Sequence, residues 1–313
     1  MRQGTAICYG LAVCDVLIPG ISRDAFCTET TRIPSFSYHT GGDAINEAIA
    51  LVKLGHRARL MSFVGRDLFG DFILEQGNRS GVDMSAVARH PSLPTTVSLV
   101  CIHPGGERSF IINQGADNAL SEACIDWAAL NDAQVVSVGS AFSCPGLTQS
   151  LPKLLQTAKS RGIITCVDVI RGPDPAAKVE MEAFLPYTDY IFPNYEEGCW
   201  LTGEREIDRI AGCLTEMGAG HVVVKTGRSG CHLFGRGGEH HHIPGFPVDD
   251  AKDTTGAGDN FAAGFIAGLL EGKAPVECAR FANAAAACSV RYIGACGLTG
   301  RQEVEERLMS QHV

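Results

Sequence analysis

The chain has 313 residues, 45% of them apolar, with 26 Lys and Arg against 35 Asp and Glu for a net charge of −9. A chain of this length buries roughly 75% of the surface its unfolded form exposes, so it needs no disulfide or metal to hold a core. The acidic balance excludes a general nucleic-acid or anionic-membrane binder, and any phosphate ligand must be held by a local site.

Short β-branched runs alternate along the chain with segments of helical period, which predicts a parallel sheet covered by helices on both faces. Strands are expected at 6–13, 59–64, 135–138, 163–168, 190–192 and 222–226, and helices at 44–54, 69–80, 147–160, 176–185, 207–217, 258–270 and 275–290. The apolar run from Ala6 to Ile18 is interrupted by Asp15 and reads as a first buried strand, not a targeting segment. No stretch reaches the ~20 apolar residues that span a bilayer. Two segments break the rhythm. Residues 95–103 and 108–113 read as a hairpin around Pro104, Gly105 and Gly106, and 17–39 is extended without helical period. The expectation is one α/β domain over 1–313, with insertions at about 14–40 and 95–114 pairing into a small β-sheet lid. The thirteen cysteines form no C-x-x-C pair, which fits reduced thiols and a cytosolic protein. His240, His241 and His242 alternate faces on a strand and do not converge on one ion.

The sharpest local signal is AKDTTGAGDNFAAGF at 251–265. Gly256, Ala257 and Gly258 precede an apolar helix, whose unpaired N–H groups and positive dipole end form an anion pocket. Asp259 lies in the first turn, where a carboxylate can take the proton of a hydroxyl that attacks phosphorus. The competing reading is a turn and a helix-start carboxylate, with no chemistry. Neither a Walker A loop nor a dinucleotide fingerprint is present.

Taken with GGDAINEAIALVKLG at 41–55 and VGRDLFG at 64–70, the DTTGAGDNF run resembles the ribokinase-like, or PfkB, carbohydrate kinases. The resemblance implies a three-layer αβα doubly wound, mostly parallel sheet with a small lid. It also implies transfer of the ATP γ-phosphate to a primary hydroxyl of a small sugar or sugar acid. Asp259 would be the base, and the amides of Gly256, Ala257 and Gly258 the charge-stabilising donors. Asp15, Gly41, Gly42 and Asn46 would grip the sugar. NYEE, with Asn194 and Glu197, would act on Mg2+ and phosphate through water, although the same spacing is a helix capping box. VVVKTGRSG would lie under the nucleotide through Lys225, Thr226, Gly227 and Gly230, and Asn283 would border adenine. A monovalent cation such as K+ would use Asp253, Thr255, Ser289, Tyr292 and Gly294, with Leu298 standing where the family has a further Ser ligand.

The chain departs from ribokinase proper at Asp43, where Lys is expected, and in SAFSCPG after Val138, which lacks an acidic residue. Arg108, in GERSF, and Arg171, one residue early for the fructokinase-like pattern, are candidate contacts for a carboxylate or phosphate on the substrate. The rival readings are a nucleoside kinase on the same scaffold and a non-catalytic sugar-binding or regulatory protein. Exposed lid edges predict a homodimer.

Overall fold

The structure, a computed structural model, describes residues 4–104, 107–172 and 177–310. The predicted positions Gly105, Gly106 and Ala176 lie outside the described residues. The strands are β1 (Thr5–Tyr9), β2 (Val13–Pro19), β3 (Ser37–Gly41), β4 (Arg57–Val64), β5 (Val87–Arg89), β6 (Val97–Ile102), β7 (Arg108–Ile112), β8 (Val135–Ala141), β9 (Ile164–Val169), β10 (Tyr190–Phe192), β11 (His221–Lys225), β12 (Cys231–Gly235) and β13 (His240–Ile243). A large sheet runs β13-β12-β11-β10-β9-β8-β1-β4-β5. It is parallel from β5 to β11 and antiparallel over the last two pairs.

Strand β1 shows why the sheet is covered twice. Ala6 and Cys8 enter one core, while Ile7 and Tyr9 enter the other. Successive side chains point to opposite faces, so a strand apolar at both parities must be buried on both. On one face lie α1 (Asp43–Lys53) and α2 (Leu68–Arg79); on the other, α3 (Pro145–Ser160), α4 (Ala177–Phe184), α5 (Tyr195–Thr202) and α6 (Ile207–Glu216). The first face is completed by α7 (Ala257–Leu270), α8 (Pro275–Ser289) and α9 (Arg301–Met309). Helix α7 is apolar almost all round because it is packed between α1, α8 and the sheet. Gly264 lets α8 come close, since a Cβ there would meet Ala282 Cα at 2.8 Å.

The predicted strand 6–13 is two strands. Its apolar pattern is continuous because both halves are buried, but β1 ends at Tyr9 and β2 belongs to a second sheet ordered β3-β2-β6-β7. The break falls at Gly10, where a Cβ would lie 2.2 Å from the Gly139 carbonyl oxygen. In the small sheet β2 and β6 are parallel, while β3 and β7 pair antiparallel at the two edges. No helix among the described residues is long and apolar enough to cross a membrane. All thirteen cysteines are free.

Candidate active site

The start of α7 is the centre of the site. Gly256 caps the helix at φ 73°, a left-handed conformation that glycine adopts without strain, and it packs so closely on Ala295 that a Cβ would meet that residue's oxygen at 2.5 Å. Asn260 fastens the same turn, donating from Nδ2 to the Gly256 oxygen at 2.7 Å and the Ala295 oxygen at 2.8 Å. The Ala257 N–H does not join the expected trio of free donors. It closes a turn onto the Thr254 oxygen at 3.2 Å. The amides of Gly256, Gly258 and Asp259 have no acceptor among the described residues, and they form the open end of the dipole.

Asp259 is 8% exposed, and its Oδ2 accepts a 2.7 Å hydrogen bond from Asn46 Nδ2 in the first turns of α1. Burial pushes its carboxyl well up from the ordinary range. The charges of Asp43 and Asp168 push the same way, against the pull of Asn46 and Lys225. A carboxylate raised in this way is a stronger proton acceptor than one on the surface.

The predicted sugar-binding residues come together. Strand β2 pairs β3 with Val13 opposite Gly41, and a Cβ on Gly41 would lie 2.3 Å from Asp15 Oδ2. The absence of a side chain at Gly41 is what lets the Asp15 carboxylate lie against the backbone entering α1. Gly42 is the helix cap, and its oxygen accepts from the Asn46 N–H at 3.2 Å. Asp15 is raised to about 6, by burial and by Asp43, against Ser98 and Arg108. Asp43 is also raised to about 6, by burial and by Asp168, against Ser140 and Lys225. Ser140, at a positive φ of 66° where β8 shifts register, donates to Asp43 Oδ2 at 2.7 Å.

On the other side of the α7 start, Lys225 Nζ lies 2.7 and 3.1 Å from the two oxygens of Asp168. Gly258 faces this pair: a Cβ there would be 3.3 Å from Lys225 Nζ and 4.0 Å from Asp168 Oδ2. Burial works against the lysine's charge, but Asp168, Glu197 and Asp259 outweigh it and raise its pKa. Asn194 bridges to Lys225 across neighbouring strand ends. Asn194 and Glu197 form a reciprocal capping box on α5, at 2.7 and 2.9 Å. Burial takes Glu197 up to about 7, helped by Asp168 and opposed first by Lys225. Thr226 closes a turn over Gly227–Ser229 by bonding the Gly230 oxygen from its N–H at 2.9 Å and its Oγ1 at 3.0 Å. Asn283 donates to the oxygens of Ile243 at 3.0 Å and Pro244 at 3.2 Å, so its amide shapes the turn after β13.

Two arginine expectations change. Arg108, on β7, ion-pairs with Asp253 Oδ1 and bonds Thr255 Oγ1, which ties the small sheet to the segment before α7 instead of leaving a free substrate contact. Arg171 is exposed beyond β9, and among the described residues no hydrogen bond or ion pair joins it to the site. The Arg108 contact also decides the fit of a monovalent cation. Asp253 accepts from the Thr255 N–H at 2.8 Å and the Gly294 N–H at 2.9 Å, in addition to the guanidinium. Burial would raise this carboxyl, yet Gly294, Arg108 and Thr255 together hold it at about 2. The Ser289 oxygen accepts from the Tyr292 N–H at 3.2 Å, and Leu298 is wholly buried without a polar atom to offer. The carboxylate that would hold a cation is therefore saturated by the chain's own donors, and K+ does not fit there with Arg108 in place.

Sequence reasoning named Lys225 without its partner Asp168, and did not single out Ser140. A carboxylate ending an otherwise apolar strand is the signal that marks Asp168.

A model of the pfkB family carbohydrate kinases matches residues 5–299. A ribokinase of Haemophilus influenzae is 30% identical over 286 residues, covering 90% of each chain. A 2-dehydro-3-deoxygluconokinase of Bacillus subtilis is 30% identical over 291 residues, covering 90% of each. Among solved structures, the Arabidopsis thaliana ribokinase complexed with ribose and ATP superposes with a TM-score of 0.84 at 27% identity, covering 98% of this chain and 99% of that one.

Proposed function

The chain belongs to the pfkB family of carbohydrate kinases, and from that premise we propose how its own residues transfer the γ-phosphate of ATP to a sugar. As a sugar kinase it is a phosphotransferase with an alcohol acceptor. The observation that carries the residue assignment is the joining of Asp259 to Asn46 beside three open amides and the Lys225–Asp168 pair.

Asp15 and Asn46 hold sugar hydroxyls, with Gly41 and Gly42 permitting close backbone approach. Asn46 engages one oxygen of Asp259, and the other takes the proton as the sugar oxygen attacks phosphorus. The amides of Gly256, Gly258 and Asp259 and the charge of Lys225 stabilise the transferring group, because a loose transition state asks for placed charge more than for early proton removal. Thr226, Gly227 and Gly230 supply the floor for the nucleotide, and Asn283 holds the neighbouring turn.

No three His, Cys, Asp or Glu side chains stand together at direct metal-binding distance among the described residues. Asn194 and Glu197 are hard oxygen partners that would hold Mg2+ through phosphate and water, where it would neutralise phosphate charge. The small sheet, carrying Asp15 and Arg108, acts as the lid that excludes water. Tyr38 on one face of this sheet and Phe110 and Ile112 on the other are exposed apolar side chains, as is Phe36 beside it, and a second copy covering part of this surface would make a homodimer. Free thiols throughout suit a cytosolic protein.

The deciding experiment measures ADP and sugar phosphate with Mg-ATP and a panel of ribose, fructose, 2-keto-3-deoxygluconate, nucleosides and phosphorylated ketoses. A sugar phosphate formed in step with ADP is the expected result. Adenosine turned over in preference to every sugar would move the reading to a nucleoside kinase, and no ADP with any acceptor would end it.

A further inference from the structure

Two carboxyl groups one turn apart on α1 both reach serines of β8. Ser140 Oγ donates to Asp43 Oδ2 at 2.7 Å, and Ser137 Oγ donates to Glu47 Oε2 at 2.6 Å. Between them in sequence is Asn46, the residue bonded to Asp259. The transfer described above does not use Glu47. Yet Glu47 is 0% exposed, its Oε1 has no hydrogen-bond partner, and no ion pair involves it among the described residues. A polar group buried on these terms opposes folding, so a helix that only had to pack would do better with an apolar residue here.

We propose that Glu47 is a positioning residue: its bond with Ser137 fixes the turn of α1 from which Asn46 sets the Asp259 carboxylate. This rests on the kinase reading above and on Asp259 as its base. The surroundings disfavour its charge. Asp43 lies on the same helix, Asp168 and Cys166 on β9, Asp259 on α7 and Cys8 on β1. The lysine of the site, Lys225 on β11, is paired with Asp168. Burial first, then Asp168, Asp259 and Asp43, push the Glu47 carboxyl well above the ordinary range, against the pull of Ser137. Glu47 is therefore held towards its neutral form. It accepts the Ser137 hydroxyl without adding a further negative charge to the carboxylates around Asp259. Ionisation at alkaline pH would add that charge.

The test compares the wild-type enzyme with Glu47→Gln, Glu47→Ala and Ser137→Ala, measuring kcat and KM across neutral to alkaline pH and thermal melting for foldedness. The Gln side chain can still accept from Ser137, so kcat stays near wild type and the alkaline decline of the wild type disappears. The Ala variants lose kcat by up to about 100-fold, as a displaced catalytic group does, with KM for ATP little changed. Should Glu47→Ala fail to fold, Ser137→Ala removes the same bond and decides the matter. An infrared difference between wild type and Glu47→Gln at pH 7 should show a carboxylic-acid carbonyl band present only in the wild type. Full turnover by the Ala variants, an alkaline limb unchanged in Glu47→Gln, or no such band would overturn the proposal. The infrared reading needs no turnover, so it tests Glu47 even if wild-type protein transfers no phosphate, which would instead defeat the underlying reading.

Discussion

Asn46 Nδ2 meets Asp259 Oδ2 at 2.7 Å, joining the first turns of α1 and α7 through the carboxylate proposed as the base. The bond makes the two oxygens of Asp259 unequal: one is held by the amide, and the other is, in the proposed transfer, left to the incoming hydroxyl.

Asp259→Asn is expected to keep nucleotide and sugar affinity but to lower kcat by about 10²- to 10⁴-fold, the usual contribution of a placed general base. Isothermal titration of both ligands alongside steady-state kinetics checks it. Unchanged turnover would remove the assignment of the base.

Gly258→Ala is expected to fold with little change in melting temperature, because the added methyl meets only the flexible end of Lys225, at 3.3 Å. In the proposed transfer that methyl stands where the phosphate approaches the open amides, so KM for ATP should rise and kcat should fall. Wild-type kinetics in this variant would mean that the transferring group does not pass between Gly258 and Lys225.

Arg108 fills the role of a cation at Asp253. Turnover of the wild-type enzyme should therefore be the same in K+ and in a bulky organic cation that cannot enter the site. Arg108→Ala strips Asp253 of its partner, and its activity should become K+-dependent. Strong K+ activation of the wild type would show that the guanidinium leaves Asp253 during catalysis.

Ligand-free stability should fall as pH rises from about 5 to 8. Asp15 and Asp43 at about 6 and Glu197 at about 7 bind protons more tightly folded than unfolded, where carboxyl groups titrate near 4. Their contribution is complete below about pH 4 and is lost as pH rises through those values. Asp253 at about 2 has the opposite sign, contributing above about pH 4 and failing as pH falls towards 2. Melting temperatures should peak at about pH 4 to 5, and Asp43→Asn should flatten the descent on the neutral side. A melting temperature that climbs from pH 5 to 8 would contradict it.

What the sequence disclosed depended on how local each feature is. The start of α7 was legible because its glycines, Asp259 and the apolar helix are contiguous, and α1 because its cap and Asn46 share one turn. The strand break at Gly10 was not, since burial in two different sheets leaves one unbroken apolar run. Pairs closed by the fold, Lys225 with Asp168 and Arg108 with Asp253, put partners 57 and 145 residues apart into contact. Neither member's sequence neighbourhood names its partner. Glu47 was hidden for a related reason: on a helix of mixed polarity, a carboxyl does not announce that it faces inward.

Strands β2 and β6 lie side by side in the small sheet although β3, α1, β4, α2 and β5 all intervene along the chain. Neither insertion can complete that sheet until the intervening β3–β5 region has brought the two together. Refolding should therefore show the substrate cover arriving late, and native-state hydrogen exchange should find its amides opening as a separate, weaker cooperative unit.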